Sequence, residues 1–308
     1  MNATTLSGRS VLVTGGAGFI GSHLVRALAA ENHVTVLDDR SAGHPERLPS
    51  TVRFVEGDVR DTDALARAGD GADLIYHLAA NVSVDRSVED PLWSHSVNVD
   101  GTLAVLEFAR ERGARVVFAS SAAIYGDPTH LPVSETAPTD PRSPYGVEKL
   151  AGDGYVRAYH DLYGLETVAL RFFNVFGPGQ SSNGYAGVVT AFVERAAAGQ
   201  PLTVHGDGEQ TRDFVHVDDV VAACLLAATT DHVGEAFNVG SGRAVTVTEL
   251  AETVLAAADS TAGIVHDDPR PGDVDRSCAD IAKARELLGY EPSVTLADGL
   301  APLVGAAR

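Results

Sequence analysis

The feature that most constrains the fold is a glycine-rich turn between an apolar run and a helical pattern near the start of the chain. Arg9–Thr14 is short, apolar and rich in β-branched residues, which predicts a buried strand. Gly15, Gly18 and Gly21 follow at three-residue intervals, and a helical pattern runs from Ser22 to Ala30. A strand, a glycine turn and a helix N-terminus together present backbone N–H groups to a pyrophosphate at close range. This order predicts a dinucleotide-binding site.

The end of the second predicted strand indicates which dinucleotide is bound. Val34–Leu37 reads as a strand and is followed by Asp38 and Asp39. An acidic residue about 20 positions after the glycines accepts hydrogen bonds from the ribose hydroxyls and repels a 2′-phosphate. Asp38 at the strand end therefore predicts NAD. Arg40 is the one feature that favours NADP, and we rank it lower.

The alternation of strands and helices predicts the fold class, a Rossmann-type doubly wound parallel sheet with a smaller α/β C-terminal substrate lobe. Further strands are predicted over Val52–Glu56, Asp73–His77, Arg115–Ala119 and Glu166–Phe172, with a long helix over Pro91–Arg112. After Phe172 the alternation breaks down, and Gly, Ser, Asn and Pro accumulate up to Gly187. We therefore expect an NAD-binding domain over residues 1–174, joined by roughly 206–240, and a second lobe that binds the substrate over 175–308.

A tyrosine and a lysine one helical turn apart are the main catalytic candidates. Tyr145 and Lys149 follow Ser143 and Pro144, which suit a helix start, so both side chains are expected on one face. An isolated phenol has a pKa of about 10, and a neighbouring ammonium favours the phenolate. The alternative is a chance pair on an amphipathic helix. Ser121, at the end of a predicted strand, either bonds a substrate oxygen or is a turn residue.

Other polar residues leave alternatives open. Asp58 either binds the adenine amino group or caps a helix that begins at Arg60. Asn98 is a backbone clamp, a ligand contact or an exposed residue. Arg212 and Arg270 are candidate phosphate clamps or ordinary surface ion-pair partners.

Composition limits the partners and the setting. The formal net charge of the 308 residues is −19, which argues against nucleic acid and anionic membranes as partners. This acidity reflects either a high-salt cytoplasm, which we favour, or a GC-rich genome. The chain has no apolar run of membrane-spanning length and no signal pattern in Met1–Ser10, so we expect a cytoplasmic protein. Neither the cysteines, Cys224 and Cys278, nor the eleven scattered histidines have metal-ligand spacing, so we predict no metal site.

Taken together, the motifs resemble one family over Ser10–Leu300. GGAGFIG, Asp38, SSAAIYG, PYGVEK, LRFFNVFGP, GDGEQTRDFVHVDD and RPGD occur in the order seen in extended short-chain dehydrogenases/reductases, and most resemble the nucleotide-sugar epimerases and dehydratases, in particular the UDP-glucose 4-epimerases. The resemblance implies a catalytic triad of Ser121, Tyr145 and Lys149. It implies cofactor contacts at Gly15, Gly18, Phe19, Ile20, Gly21, Asp38, Asp39, Asp58, Val59, Leu78, Ala79, Ala80, Asn98, Tyr145, Lys149 and Phe173. It implies substrate contacts at Ser121, Asn174, Val188, Thr203, Val204, His205, Arg212, Arg270, Asp273 and Ser277.

Two positions narrow the activity that the resemblance implies. Dehydratases and the UDP-xylose-forming decarboxylase resemble TDEVYG or TSEVYG where this chain has Ala122 and Ala123, and alanine cannot transfer the proton that elimination requires. Ser277, at a position where restricted epimerases have tyrosine, leaves room for an N-acetyl group. We therefore expect an NAD-dependent 4-epimerase of UDP-glucose/UDP-galactose that also accepts UDP-GlcNAc/UDP-GalNAc. The resemblance also implies a homodimer, formed through the helices at 91–112 and 143–163 on one outer face of the sheet. The alternatives are a nucleotide-sugar 4-ketoreductase or dehydrogenase, and a non-catalytic dinucleotide-binding protein.

Overall fold

The centre of the molecule is a seven-stranded parallel sheet. A computed structural model describes residues 6–180, 187–269 and 274–307. In chain order, the strands of the described residues are β1 Ser10–Thr14, β2 His33–Asp38, β3 Arg53–Glu56, β4 Leu74–His77, β5 Arg115–Ser121, β6 Thr167–Phe172, β7 Asn174–Phe176, β8 Leu202–His205, β9 Thr211–Arg212, β10 Phe214–His216, β11 Glu235–Val239, β12 Val245–Thr246 and β13 Ile264–Asp267. The central sheet has the order β11-β6-β5-β4-β1-β2-β3. This confirms the predicted Rossmann-type doubly wound sheet.

Helices cover both faces of the sheet, as parallel strands that are apolar on both sides require. In chain order they are α1 Phe19–Leu28, α2 Thr62–Ala68, α3 Val84–Glu89, α4 Pro91–His95, α5 Gly101–Arg112, α6 Pro144–Tyr163, α7 Val188–Ala197, α8 Val217–Thr229, α9 Val247–Ala257, α10 Ala282–Leu288 and α11 Leu296–Ala307. One core joins α1, α8 and α10 to the sheet through residues such as Leu24, Val220 and Leu288. A second core joins α2, α5 and α6 to the other face through Leu65, Val105 and Val156. α5 and α6, which correspond to the predicted helices at 91–112 and 143–163, therefore lie on the same face of the sheet.

A third core lies in the smaller lobe. Phe192 of α7, Leu250 of α9 and Leu300 of α11 pack with Leu202 of β8 in one cluster of buried side chains. β8 pairs in parallel with β13, and β9 pairs antiparallel with β12. The chain returns to the central sheet at β11, which pairs with β6. The exact division into two domains stays a prediction.

Two predicted helix starts are wrong. α1 begins at Phe19 rather than Ser22, because Gly18 has an extended backbone and serves as the N-cap. α2 begins at Thr62, where the Asp61 carboxylate accepts from the backbone N–H groups of the first turn. Asp58 therefore does not cap a helix that begins at Arg60. Its carboxylate instead pairs with the Arg60 guanidinium.

The long helix predicted over Pro91–Arg112 is interrupted by a π segment. Ser96–Asp100 has π-helical hydrogen bonding between α4 and α5. Asn98 lies inside this segment and is buried. Such one-turn π segments are frequent at functional sites.

Among residues 6–180, 187–269 and 274–307, no helix combines the length and the apolar character needed to cross a membrane. Over the same ranges no group of three or more His, Cys, Asp or Glu side chains is placed to hold a metal ion.

Candidate active site

The strand order places the candidate site at the point where the sheet reverses direction. β1 lies between β2 and β4, so the chain builds the sheet outward in opposite directions from this pair. Ligands of open α/β sheets bind outside the carboxyl ends of the strands at such a switch point. The carboxyl ends here are Thr14 of β1, His77 of β4 and Ser121 of β5.

Ser121 and Tyr145 meet at this edge. The Ser143 hydroxyl accepts from Gly146 N at 3.1 Å and starts α6, which brings Tyr145 into the first turn of the helix. Burial raises the pKa of the Tyr145 phenol, a hydrogen bond with Ser121 acts to lower it, and the Glu148 charge raises it further. The prediction that Lys149 lowers this pKa is wrong for the protein alone. Burial raises the pKa of the phenol, and the hydrogen bond that acts against burial comes from Ser121.

Lys149 lies one turn after Tyr145 on the same helix face and is buried. Its ammonium donates to the Ala119 carbonyl oxygen at 2.8 Å and lies 6.0 Å from the centre of the Tyr145 ring. Burial lowers the pKa of Lys149 to about 8, and the Glu148 charge acts in the opposite direction. The fold thus brings Ser121, Tyr145 and Lys149 together, as predicted, with a lysine poised to titrate near neutral pH.

The glycine turn provides a cradle for a pyrophosphate. Gly15 has a φ of +69°, and a Cβ at this position would lie 2.6 Å from Ala79 N, so β1 and the loop after β4 approach as closely as glycine allows. A Cβ on Gly21 would lie 2.3 Å from the Gly15 carbonyl oxygen, which packs the helix on the turn. Gly18 is the N-cap residue of α1 and has no side chain that could cap the helix. Backbone N–H groups in the first turn of α1 are therefore available to an anion.

Asp38 has the geometry expected for a ribose contact. Its carboxylate accepts from Ala17 N at 3.0 Å and Arg40 N at 2.8 Å, one bond to each oxygen. A carboxylate has about four acceptor positions, so both oxygens keep capacity for hydroxyl donors. Burial raises the Asp38 pKa, and the two backbone hydrogen bonds act to lower it. These residues fit an NAD molecule.

The other predicted cofactor residues fall into three groups. Phe19, Ile20, Leu78, Ala79 and Ala80 are half-buried around the glycine turn and the loop after β4. Val59, Asn98 and Phe173 are buried. Asp39 is exposed and accepts from Ser41, whereas Asp58 is held by Arg60.

The predicted substrate residues lie on β7, α7, β8, β9 and the segment after β13. Thr203 and His205 are half-buried, but the Val204 side chain is in the core of the lobe, so only its backbone remains for a ligand. Arg212 is half-buried and donates to the Thr211 carbonyl oxygen at 2.8 Å. Ser277 N donates to the same oxygen at 3.1 Å. Asn174 is exposed and Val188 is half-buried at the start of α7. Arg270 and Asp273 lie outside the described residues.

Sequence reasoning missed a buried histidine beside this site. Thr102 Oγ1 donates to the Asn98 carbonyl oxygen at 2.6 Å, so it accepts from His77 Nε2 at 3.1 Å, and Thr14 Oγ1 donates to Nδ1 at 2.8 Å. Burial lowers the pKa of His77 to about 3, and the charge of Lys149 acts in the same direction. A histidine at the carboxyl end of a buried strand was the available signal.

It also missed two buried carboxylates on α6. Glu148 accepts from Ser94 and Asn98, and Asp153 from Arg171 and Ser120. Acidic residues within a helical pattern are usually exposed, so the sequence gave no reason to single them out.

Comparison with known proteins gives the same family as the motifs. Residues 11–240 match the model of the NAD-dependent epimerase/dehydratase family. A UDP-glucose 4-epimerase of Mycolicibacterium smegmatis is 42% identical over 302 residues, covering 95% of this chain and 96% of that protein. UDP-glucuronic acid decarboxylase 1 of Arabidopsis thaliana is 36% identical over 97% of this chain and 69% of that protein.

Solved structures agree in fold over nearly the full length. UDP-glucose 4-epimerase of Thermotoga maritima with UDP-glucose has a TM-score of 0.93 at 40% identity, covering 96% of this chain and 97% of that one. UDP-N-acetylglucosamine 4-epimerase of Methanobrevibacter ruminantium, in complex with UDP-N-acetylmuramic acid, has a TM-score of 0.94 at 35% identity, covering 97% and 98%.

Proposed function

Because this chain belongs to the NAD-dependent epimerase/dehydratase family, with NAD as its cofactor, we propose that it interconverts the two C4 epimers of a UDP-hexose. The reaction passes through a 4-keto sugar, and the hydride returns to the opposite face of the same carbon. Net redox is zero. The protein is an isomerase on this proposal.

The observation that carries the proposal is the triad of Ser121, Tyr145 and Lys149 with alanines at the two positions after Ser121. Ser121 and Tyr145 share a hydrogen bond, and Lys149 lies one turn away. Ala122 and Ala123 form the short 3₁₀ turn that follows Ser121, where dehydratase-like sequences carry carboxylates. Elimination requires a group that moves a proton at C5 or C6 of the hexose, and alanine cannot do so. Oxidation and reduction at C4 remain.

The chain's own residues divide the work at the sugar. Tyr145 removes the O4 proton as its phenolate, and Ser121 bonds O4 and relays the proton. Lys149 holds the cofactor ribose and provides positive charge near the phenol. When bound, NAD supplies the acceptor and donor of the hydride. A Tyr145 pKa raised by burial means that positive charge on the assembled site is needed to form the phenolate.

This chemistry requires the nucleotide part of the substrate to be held more firmly than the hexose. The nucleotide must be held while the 4-keto hexose turns over between the two hydride transfers. Arg212, with Thr203 and His205 on the lobe, is proposed to hold the diphosphate and uridine, together with Arg270 and Asp273. Asn174 and Val188 complete the proposed contacts.

The choice of sugar is proposed to depend on Ser277. This small residue, half-buried against Thr211, leaves space beside the hexose C2 substituent. We expect UDP-GlcNAc and UDP-GalNAc to be substrates alongside UDP-glucose and UDP-galactose. The names of the two solved relatives, one a UDP-glucose and the other a UDP-N-acetylglucosamine 4-epimerase, support both sugar classes.

The test incubates the holoprotein separately with UDP-glucose, UDP-GlcNAc and UDP-glucuronate and resolves the products by NMR. The proposal expects C4 epimers from the first two substrates. A Ser277→Tyr variant should lose UDP-GlcNAc turnover and keep UDP-glucose turnover. A steady change in absorbance at 340 nm would show net redox and favour the 4-ketoreductase or dehydrogenase. Elimination or decarboxylation products would also contradict the proposal.

A homodimer is proposed from apolar side chains on the outer helices. Leu92 of α4 is 84% exposed and Leu162 of α6 is 73% exposed, and Val88 of α3 and Val147 and Tyr163 of α6 are also exposed. Isolated exposed apolar residues are normal, but several on adjacent helices favour a partner helix pair. Sedimentation equilibrium should give twice the chain mass, and Leu162→Asp should shift it towards the monomer.

A further inference from the structure

Glu148 is a buried acid that the proposed mechanism does not use. It follows Tyr145 by three residues, directly precedes Lys149, and is only 3% exposed. A carboxylate buried this deeply is unfavourable unless hydrogen-bond donors or a positive charge compensate it. Its surroundings therefore indicate what it does.

The hydrogen-bond donors come from the long helix that contains the π segment. Glu148 Oε2 accepts from Ser94 Oγ at 2.8 Å and from Asn98 Nδ2 at 2.6 Å. Ser94 belongs to α4, and Asn98 to the π segment that follows it. One carboxylate oxygen thus joins the catalytic turn of α6 to both parts of the neighbouring helix.

Asn98 transmits this connection to the loop after β4. Its Oδ1 accepts from Asn81 N at 2.7 Å, and its Nδ2 donates to Asn81 O at 3.0 Å. The Asn81 side-chain amide in turn donates to Ser94 Oγ at 2.9 Å, which closes a ring of four residues. Asn81 directly follows Leu78–Ala80, the loop against which the glycine turn packs. The ring therefore fixes the backbone on one side of the cofactor cradle.

The charge of Glu148 acts on both catalytic candidates. It opposes the effect of burial on the Lys149 pKa and adds to that of burial on the Tyr145 pKa. Two further titratable groups near Lys149 are neutral or compensated. His77 of β4 has a pKa of about 3, and Asp153 of α6 is paired with Arg171 of β6.

We propose that Glu148 is a positioning residue, which holds the Asn81–Asn98 clamp beside the cofactor loop and places a negative charge next to Lys149 in α6. The inference deepens the proposed function and rests on it for the role of Tyr145 and Lys149. Glu148 contributes in two ways, through the hydrogen bonds that the length of its side chain allows and through its negative charge, and substitutions can separate these two parts of its role.

Two variants of Glu148 and one control separate these parts. Glu148→Gln removes the charge but keeps the length, and its amide oxygen can accept from both Ser94 and Asn98. Glu148→Asp keeps the charge but withdraws the carboxylate from both donors. Asp161→Asn removes one negative charge from an exposed position on the same helix and serves as the control.

The first measurement is the pH profile of kcat. The negative charge of Glu148 raises the pKa of Tyr145 and that of Lys149. Its removal in Glu148→Gln should therefore move the acidic and the alkaline limbs of the profile to lower pH, by on the order of one unit. Glu148→Asp and Asp161→Asn should leave the limbs in place. A residue that only fills space would lower kcat without moving the limbs.

The second measurement is cofactor binding, followed by NADH fluorescence and by the emission of the only tryptophan, Trp93, which adjoins Ser94. Glu148→Asp should weaken NADH binding on the order of tenfold and change Trp93 emission. Residues that orient metal ligands contribute about tenfold or more to metal affinity, and we expect a comparable effect at the cofactor loop. Glu148→Gln should remain within about threefold of the wild type in affinity.

Unmoved limbs in Glu148→Gln, or unchanged NADH affinity in Glu148→Asp, would overturn the corresponding part of the inference. If the wild type bound NADH but epimerised no UDP-sugar, the proposed function would fail. The NADH affinities and Trp93 emission would still decide whether Glu148 fixes the cofactor loop.

Discussion

Two buried charged groups on α6, four residues apart, are treated by the fold in opposite ways. Asp153 accepts four hydrogen bonds, two from Arg171 and one each from Ser120 and Arg157. Burial would raise its pKa, but the hydrogen bonds and charge of Arg171 outweigh burial and lower it. Lys149 donates to Ala119 O, and burial lowers its pKa to about 8.

The difference separates a structural charge from a reactive one. At Asp153 the surroundings favour the ionised form, so the group stabilises the fold and does not titrate near neutral pH. At Lys149 they favour the neutral form, so the group is held at the expense of stability and is ready to change its protonation state. The same helix thus anchors itself in its middle and keeps its first turn available for chemistry.

The largest expected effect is on turnover at the first turn. Tyr145→Phe removes the proposed base while leaving the ring in place, so kcat should fall by on the order of 10²–10⁴-fold. NADH affinity and the melting temperature should change little, because the hydroxyl contributes to chemistry rather than to packing. Steady-state kinetics and fluorescence titration check both points, and full activity in this variant would remove the proposed base.

A substitution at Asp153, in the middle of α6, is expected to lower stability without a specific effect on the reaction. Asp153→Asn leaves the buried Arg171 guanidinium without its countercharge, which should lower the free energy of unfolding by about 3–5 kcal/mol. Urea denaturation measures this, with Asp161→Asn as the exposed control. Since the folded-state pKa of Asp153 is depressed, its stabilisation is present above an unfolded pKa of about 3.9 and lost as pH falls through the folded value. A penalty that persists below that range would show that packing, not charge, is the cause.

Lys149 should give a pH dependence of the opposite kind. Its folded pKa of about 8 lies below the ordinary value of 10.5. Between these values the unfolded chain binds more protons than the folded one, so stability rises with pH. The unfolding free energy of the wild type minus that of Lys149→Met should increase by up to about 1.4 kcal/mol per pH unit from pH 8 to 10.5. A flat difference would mean that Lys149 is not held in the neutral-favouring setting described above.

The smallest effect is expected at Arg157, the exposed partner of Asp153. Arg157 is 45% exposed at its side chain and donates to Asp153 at 3.1 Å. Exposed ion pairs contribute little, so Arg157→Ala should lower the unfolding free energy by only about 0.2–1 kcal/mol. A loss as large as that of Asp153→Asn would mean that Arg171 alone does not compensate the carboxylate.

Much of the nucleotide-binding half could be predicted from sequence because its signals are local. The run Arg9–Thr14, the glycines after it and Asp38 lie within one βαβ unit, and the strand bounds differ from those observed by only a residue or two. The pairing of Tyr145 with Lys149 also follows from helical spacing alone. These features depend on neighbours in the chain rather than on the completed fold.

The polar networks could not be predicted because their partners are distant in sequence. Glu148 and Asn98 are 50 residues apart, and Arg171 and Asp153 are 18 apart on different elements. No local pattern marks an acid that will be buried, since burial is decided by packing of α6 on the sheet. The raised pKa of Tyr145 was missed for the same reason, because the prediction considered Lys149 and not the enclosure of the phenol.

The π segment at Ser96–Asp100 has a consequence for how this helix can change over evolution or in design. A π segment is equivalent to one residue inserted into an α-helix, and each α-helical residue turns the chain by about 100°. Deleting a single residue here would leave α4 in place and rotate α5 about its own axis, turning Thr102 and Val105 away from their present neighbours. The stretch should therefore accept no change of length, and an alignment gap placed within it would mark a protein with a differently built site.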